Sequence, residues 1–321
     1  MWWVWWWLLA VVGIVAVVIK IYMEMIKGKC TSKADLTGKT AIVTGANSGI
    51  GFATAEDFAR RNCRVIMACR SLERGENACT KIIEKTGNIN VVVRKLDLGY
   101  MASVREFVDK ILKEEPRLDI LINNAAAAGT KRKITSEALE YTLATNHLGP
   151  FLLTNLLLDL LKKSGPGRIV MVSSLVNIMG KINFNDMTWI RKFETGEPYF
   201  DTKFANILFT KELSRRLQDS EVVINCLHPG TVRTSLLRHV PQPFKILIDL
   251  LGMVYFKSQE EGAQTTIHCA VCDATKGVSG CYFIDCKVQD HSWYINKKAY
   301  DEGLAKKLWE VSEQMTGLTT S

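Results

Sequence analysis

Thr40-Ala-Ile-Val-Thr44 running into Gly45-Ala-Asn-Ser-Gly49-Ile-Gly51 decides how the rest of this chain folds. The first five residues are β-branched or apolar and predict a strand, and a helical pattern runs on from Gly51 through Ala59. Strand, glycine turn and helix in that order make a phosphate cradle. The glycines let the backbone approach a pyrophosphate, and the helix N-terminus favours its charge. Gly45, Asn47, Ser48, Gly49, Ile50 and Gly51 are therefore candidate binding residues.

Working outward, Arg64 to Cys69 reads as a second strand that ends at Arg70-Ser71, where dinucleotide folds place the group that meets the adenosine ribose. An acid there would bind the ribose hydroxyls. Arg70 instead offers a planar cation suited to a 2′-phosphate, with Arg74 as a helper, so NADP or NADPH is expected over NAD. The bland alternative is a solvent-facing arginine at a helix start.

Strands and helices then alternate: Asn90 to Leu96, Ser103 to Glu115, Leu118 to Asn123, Asn146 to Leu161, Arg168 to Ser173, Tyr199 to Leu217, Val222 to Leu227, with Gly280 to Ile284 continuing the sheet and a helix from Ala299 to Met315 closing it. This predicts an α/β fold, a Rossmann-type doubly wound parallel sheet of about seven strands. Ligands of such sheets sit beyond the strand C-termini. Asp97, Asn123, Asn124, Ser173, Ser174 and His228 to Gly230 are all expected at that edge.

Pro198-Tyr-Phe-Asp-Thr-Lys203 supplies the chemistry. Tyr199 and Lys203 are one helical turn apart on one face, and Pro198 suits the first turn of the helix. A cation beside a phenol favours phenolate and is expected to lower the tyrosine pKa toward a value useful for proton transfer. A chance Tyr-x-x-x-Lys on a solvated helix is the alternative.

The chain has 321 residues, 47% of them hydrophobic, enough for one domain of roughly 280 residues after a short N-terminal segment. A net charge of +8, spread out, with no basic run interleaved with aromatics, gives no reason to expect a nucleic-acid partner. From Trp2 to Ile19 no side chain is charged, long enough to span a bilayer as a helix. Trp2, Trp3, Trp5, Trp6 and Trp7 crowd one end, and Lys20, Lys27, Lys29 and Lys33 follow the other, so the domain is expected on the cytosolic side. A cleaved signal peptide competes, but it would need a basic start and a small-residue cleavage site. The expected organisation is a membrane anchor over residues 1–26, a basic linker over 27–38 and a catalytic domain over 39–316.

Nine cysteines, an odd number, fit a reduced compartment. Cys269, Cys272, Cys281 and Cys286, with His268, could be drawn as a zinc site. The second pair is spaced too widely for that, so buried structural thiols are expected and no metal is assigned.

Gly45-Ala-Asn-Ser-Gly-Ile-Gly51, Leu96-Asp97-Leu98, Asn123-Asn-Ala125, Asn146-His-Leu-Gly149, Val172-Ser-Ser174, Tyr199-x-x-x-Lys203 and His228-Pro-Gly230, in that order and spacing, resemble the short-chain dehydrogenase/reductase superfamily. The resemblance covers almost everything from Leu36 to Met315. Ala68-Cys-Arg70, Gly180-Lys-Ile182, Lys203-Phe-Ala-Asn-Ile-Leu-Phe-Thr210 and the N-terminal segment are similar to its microsomal, NADP-preferring retinol dehydrogenases related to retinal reductase. What the resemblance implies is a tetrad: Tyr199 as acid/base, Lys203 lowering its pKa and holding the nicotinamide ribose, Ser174 bonding the substrate oxygen, and Asn146 holding a relay water through its backbone carbonyl. Pro150 lies four residues after Asn146, where an amide would otherwise cap that carbonyl. The cofactor set is extended to Arg70, Asp97, Leu98, Asn124, Ala125, Tyr199, Lys203, Pro229, Gly230, Val232 and Thr234. The chain departs from the family at Ala126, where glycine is usual, and in the basic stretch Gly129-Thr-Lys-Arg-Lys133.

The expected activity is an NADPH-dependent interconversion of a lipophilic alcohol and its carbonyl form, retinol and retinal first, with another lipid aldehyde, a steroid, or a non-catalytic scaffold as alternatives. The expected location is the endoplasmic reticulum membrane, with a mitochondrial membrane as the alternative, and an oligomer is left open. Residues 234–257 are expected to form a substrate lid or membrane contact, because Phe244 to Phe256 within them is too apolar for a solvated loop, or to pack as an ordinary core helix.

Overall fold

The computed structural model describes residues 2–128, 132–187, 196–232 and 256–318. Its centre is one sheet of β1 (Thr40–Thr44), β2 (Arg64–Cys69), β3 (Val91–Lys95), β4 (Ile120–Asn123), β5 (Arg168–Val172), β6 (Val223–His228), β7 (Tyr282–Ile284) and β8 (Lys287–Val288). The strand order is β3-β2-β1-β4-β5-β6-β7-β8. Pairing is parallel from β3 through β7, as the alternation predicts, and only the two-residue β8 runs antiparallel, back from β7.

Strands of such a sheet are covered on both faces, which is why β1 and β4 are buried at every position. Alternate residues of β1 enter different cores: Ile42 joins Ile66, Phe151, Phe204 and Trp309, while Ala41 and Val43 join Phe58, Ile82 and Ile267. The first face carries α4 (Met101–Glu114), α6 (Gly149–Lys163), α7 (Glu197–Arg216) and α9 (Glu302–Thr316). The second carries α2 (Gly49–Arg60), α3 (Leu72–Thr86) and α8 (Gln259–Val271). Because β1 has β2 on one side and β4 on the other, the winding reverses at β1, and a crevice opens beyond the strand C-termini there.

The helix expected from Asn146 starts earlier. A turn, α5 (Tyr141–Leu143), leads through a π-helical segment, Ala144–Leu148, into α6, and the Gly149 amide bonds the Ala144 carbonyl. Pro150 follows that bond and has no amide to offer Asn146, so a wide turn is seated where the chain lacks a donor. α9 braces this region through a ring cluster, with Trp309 4.9 Å from Phe151 and 5.7 Å from Phe209 between centroids.

The stretch 27–38, expected to be a basic linker, is bonded to the domain at several points. Lys27 pairs with Glu261 at 2.8 Å, the Cys30 amide donates to Gln264 Oε1 at 3.0 Å, Ser32 Oγ donates to the Val271 carbonyl, and Arg61 donates to the carbonyls of Ser32 and Ala34. All nine cysteines are free thiols; Cys269 is buried, whereas Cys272, Cys281 and Cys286 are only half-buried. Among the described residues no group of three or more His, Cys, Asp or Glu is placed to hold a metal ion.

Trp2–Ile26 forms one 25-residue helix, α1. Its side chains are described in part, and Trp3, Trp5, Trp6, Trp7, Val11, Ile14, Val17 and Val18 among them stay exposed. Among the described residues no helix is long and apolar enough to cross a membrane. Thr234 and nearly all of the expected lid, through residue 255, lie outside the described residues, as do 129–131 of the basic loop.

Candidate active site

The glycine turn is built as its residues require. Gly45 and Gly49 sit at φ +67° and +63°, the left-handed region that favours glycine. A Cβ on Gly51 would come within 2.5 Å of Asn124 Nδ2 and 2.6 Å of the Gly45 carbonyl oxygen. Asn124 laces the two loops at the switch point: its Nδ2 donates to the Thr44 carbonyl at 2.8 Å, and its amide donates to Thr44 Oγ1 at 2.9 Å. The Ala125 amide shares that hydroxyl at 3.0 Å. Asp97 is held by the Gly99 amide at 3.0 Å. Asn123 turns away from the crevice, donating to Thr154 at 3.0 Å inside the core.

Arg70, exposed at the end of β2, donates to the phenol of Tyr141. Lys133 lies over the same ring, 4.3 Å from its centroid. Nothing in the sequence pointed to Tyr141, whose position depends on the turn that precedes the π segment.

Tyr199 is half-buried, beside Ser174; desolvation pushes the phenol up to about 12, against an opposing influence from Ser174. Lys203, 2% exposed, donates from Nζ to the Val172 carbonyl at 2.8 Å, and burial lowers it to about 8. The sequence reading expects Lys203 to lower the Tyr199 pKa. In this structure the ammonium lies 5.4 Å from the ring centroid, bonded to main chain, and desolvation sets the direction for both groups.

Asn146, in the π segment, clamps the loop after β4: Oδ1 accepts the Ala127 amide at 2.6 Å, and Nδ2 donates to the Ala127 carbonyl at 2.8 Å and to Thr202 Oγ1 at 3.1 Å. Thr202 in turn donates to the Tyr199 carbonyl at 2.9 Å. The β4 loop, the π segment and the first turn of α7 are thus one bonded unit. On the far wall His228 Nδ1 accepts the Leu175 amide at 3.2 Å; burial, with Lys257 nearby, lowers this imidazole to about 4.

These parts enclose one cleft of about 1470 Å³. Of the residues expected from sequence, Gly45, Asn47, Ser48, Gly49, Ile50, Arg70, Asp97, Leu98, Asn124, Ala125, Ser174, Tyr199, Lys203, Pro229, Gly230 and Val232 line it. Gly51 and Asn146 are not among its lining residues, and both bond or pack against those that are. Ala126 lines the cleft, so the departure from glycine lies on its wall. Sequence reasoning missed Tyr141, Thr145 and the apolar rim of Leu175, Val176, Ile178 and Met179, of which the last two are partly bare.

The sequence model described as short chain dehydrogenase matches residues 39–243. Retinol dehydrogenase 14 of Homo sapiens is 46% identical over 296 residues, 88% of this chain and 87% of its own. Retinol dehydrogenase 13 of Homo sapiens is 45% identical over 308 residues, 94% of this chain and 91% of its own. A crystal structure of an uncharacterised protein from Mycobacterium paratuberculosis is similar with a TM-score of 0.72 at 32% identity, covering 90% of this chain and 98% of that one. The NADP complex of Pseudomonas aeruginosa RhlG, 24% identical with a TM-score of 0.64 over 78% of this chain and 95% of its own, shares the fold.

Proposed function

The chain belongs to the short chain dehydrogenase family, in its retinol dehydrogenase-like branch, and from that premise we propose that it interconverts a lipophilic alcohol and its carbonyl form with NADP(H), retinol and retinal being the first pair to test. The observation that carries the reading is that Ser174, Tyr199 and Lys203 line the wall of the same cleft as the Gly45–Ile50 turn. That turn fits a dinucleotide: it is a cradle at a helix N-terminus, with glycine where a Cβ would collide. Arg70 and Arg74, both on the cleft wall, supply the charge for a 2′-phosphate.

When bound, the cofactor supplies or accepts the hydride. The chain's own residues handle the proton. Ser174 Oγ and Tyr199 Oη together hold the substrate oxygen, and in the reductive direction Tyr199 gives it a proton. A phenol raised to about 12 is a proton donor at rest, and reduction calls for that state. Lys203 supports the charge that Tyr199 acquires and offers its other protons to a ribose. Pro150 leaves the Asn146 carbonyl without its helical donor, free to accept from a water that restores the proton. Leu175, Val176, Ile178 and Met179 give the cleft an apolar rim suited to a lipophilic substrate.

The uncharged run Trp2 to Ile19, with tryptophans crowding one end and lysines following the other, is what supports a membrane anchor. The endoplasmic reticulum, cytosolic face, is the proposed location. The test is NADPH and NADH oxidation by purified protein with retinoid, steroid and fatty aldehydes. Turnover of retinal with NADPH is expected; turnover of a steroid alone would move the substrate, and tight NADPH binding without turnover of any would make the protein a scaffold.

A further inference from the structure

Gly230 sits at φ +87°, and the stem of Lys257 lies directly on it: a Cβ there would come within 2.6 Å of Cδ, 2.7 Å of Cε and 2.8 Å of Nζ. The main chain repeats the contact. The Lys257 amide donates to the Thr231 carbonyl at 2.8 Å, and Val232 and Lys257 form an isolated parallel bridge. Residues 228–232 line the cleft, so Lys257 is the support under that wall.

Lys257 is 7% exposed, and a buried ammonium is costly without an anion at hand. Asp285 Oδ1 is that anion. The same oxygen accepts the Gly28 amide at 3.1 Å, and Gly28 fits only as glycine, since a Cβ would lie 2.0 Å from the Asp285 carbonyl carbon. The aspartate reaches this point from a demanding backbone. Asp285 and Cys286, between β7 and β8, have φ 50° and 60°, left-handed values that favour Asn, Asp or Gly and that a cysteine adopts at a cost. Neighbouring His228 couples the wall to the other side of the site through the Leu175 amide, one residue after Ser174.

We propose that Asp285 is a positioning residue which, by neutralising Lys257, holds the Gly230 stretch in the shape that receives the cofactor beside Tyr199. The proposal rests on the cofactor reading above. Without the carboxylate, the ammonium either leaves Gly230 for water or remains uncompensated against the cleft wall; both deform the wall. A methionine at 257 keeps an apolar stem on Gly230 and removes the charge that needs an anion.

The test is NADPH affinity by fluorescence, with thermal midpoints, for the full chain in detergent carrying Asp285→Asn, Lys257→Met, or both. Asp285→Asn is expected to weaken NADPH binding about tenfold, Lys257→Met less than threefold, and the double variant is expected to return to the Lys257→Met value, because the charge that does the damage is gone. A rise under threefold in Asp285→Asn, even with a lowered midpoint, overturns the proposal, as does a double variant no tighter than Asp285→Asn. If Asp285→Asn does not fold, a double variant that folds and binds NADPH supports it, and one that also fails to fold overturns it. Wild-type protein that does not bind NADPH would bring down the cofactor reading and this proposal together; wild-type binding without aldehyde turnover would bring down only the activity.

Discussion

The Lys203 ammonium stands 5.4 Å from the centre of the Tyr199 ring and is bonded to the Val172 carbonyl at 2.8 Å, so the cation lies behind the phenol. Burial drives the two groups apart, Tyr199 up to about 12 and Lys203 down to about 8. Near neutral pH the group closest to changing its charge is therefore the lysine.

This gives a pH signature. The folded value of Lys203, about 8, is below its ordinary 10.5, so between the two the unfolded chain holds more protons and stability from this residue rises with pH, by roughly 3 kcal/mol across the window. Below pH 8 the full burial cost is borne. Buried thiols such as Cys226, raised to about 12, act in the opposite sense, so the measurement is the difference between wild type and Lys203→Met in urea unfolding from pH 7.5 to 10. A difference that stays constant over that range would contradict the assigned shift.

Tyr199→Phe removes the proposed proton donor and leaves the glycine turn untouched. Turnover should fall on the order of 10²-fold or more while NADPH affinity stays within a few-fold. Single-turnover kinetics and a binding titration on the same preparation check both halves.

Arg70→Asp puts a like charge where a 2′-phosphate would sit. The KM for NADPH should rise and NADH should approach parity with it. An unchanged ratio of kcat/KM between the two cofactors would shift the discrimination to Arg74 or elsewhere.

Pro150→Ala restores an amide one turn after Asn146 and lets the π segment relax toward an α-helix with that carbonyl capped. The expected result is a kcat lower by about tenfold with a KM little changed, the pattern of a lost proton-relay contact. A selective rise in KM would point to the β4 loop clamped by Asn146 instead.

Removing residues 1–26 should abolish flotation with liposomes while leaving turnover of a detergent-solubilised aldehyde largely intact, because no described residue of α1 lines the cleft. Flotation that survives truncation would place the main membrane contact in the catalytic domain.

The sheet was legible because its residues announce it locally: Thr40–Thr44 and Ile120–Asn123 are apolar runs of strand length, and the glycine turn sits between strand and helix where a dinucleotide fold needs it. The candidate groups Ser174, Tyr199 and Lys203 were legible for the same reason, each lying just past a strand end or in the first turns of a helix. Three things were not. α3 was left without bounds, since only Gly75, Ala78, Cys79 and Ile82 of its residues are buried and its apolar stripe is thin. The docking of residues 27–38 depends on Gln264, Glu261 and Arg61, partners remote in sequence or on another helix, which no local pattern reveals. The direction of the Tyr199 pKa depends on how deeply the ring is buried and where the Lys203 side chain goes, and spacing fixes neither.

The bond between Arg70 and Tyr141 bears on how far the protein can prefer one dinucleotide over the other. A guanidinium that faced water would be free to spend its full attraction on an arriving phosphate. This one already gives Nη1 to a phenol, so a 2′-phosphate that comes to that nitrogen must outcompete it, and there the selectivity gained is the difference between a contact to an anion and the contact to a neutral phenol it replaces. A dinucleotide without that phosphate leaves the Arg–Tyr contact standing and forfeits nothing. The resident phenol thus sets a ceiling on discrimination, and Tyr141→Phe, by freeing the arginine, should widen the gap in KM between NADPH and NADH.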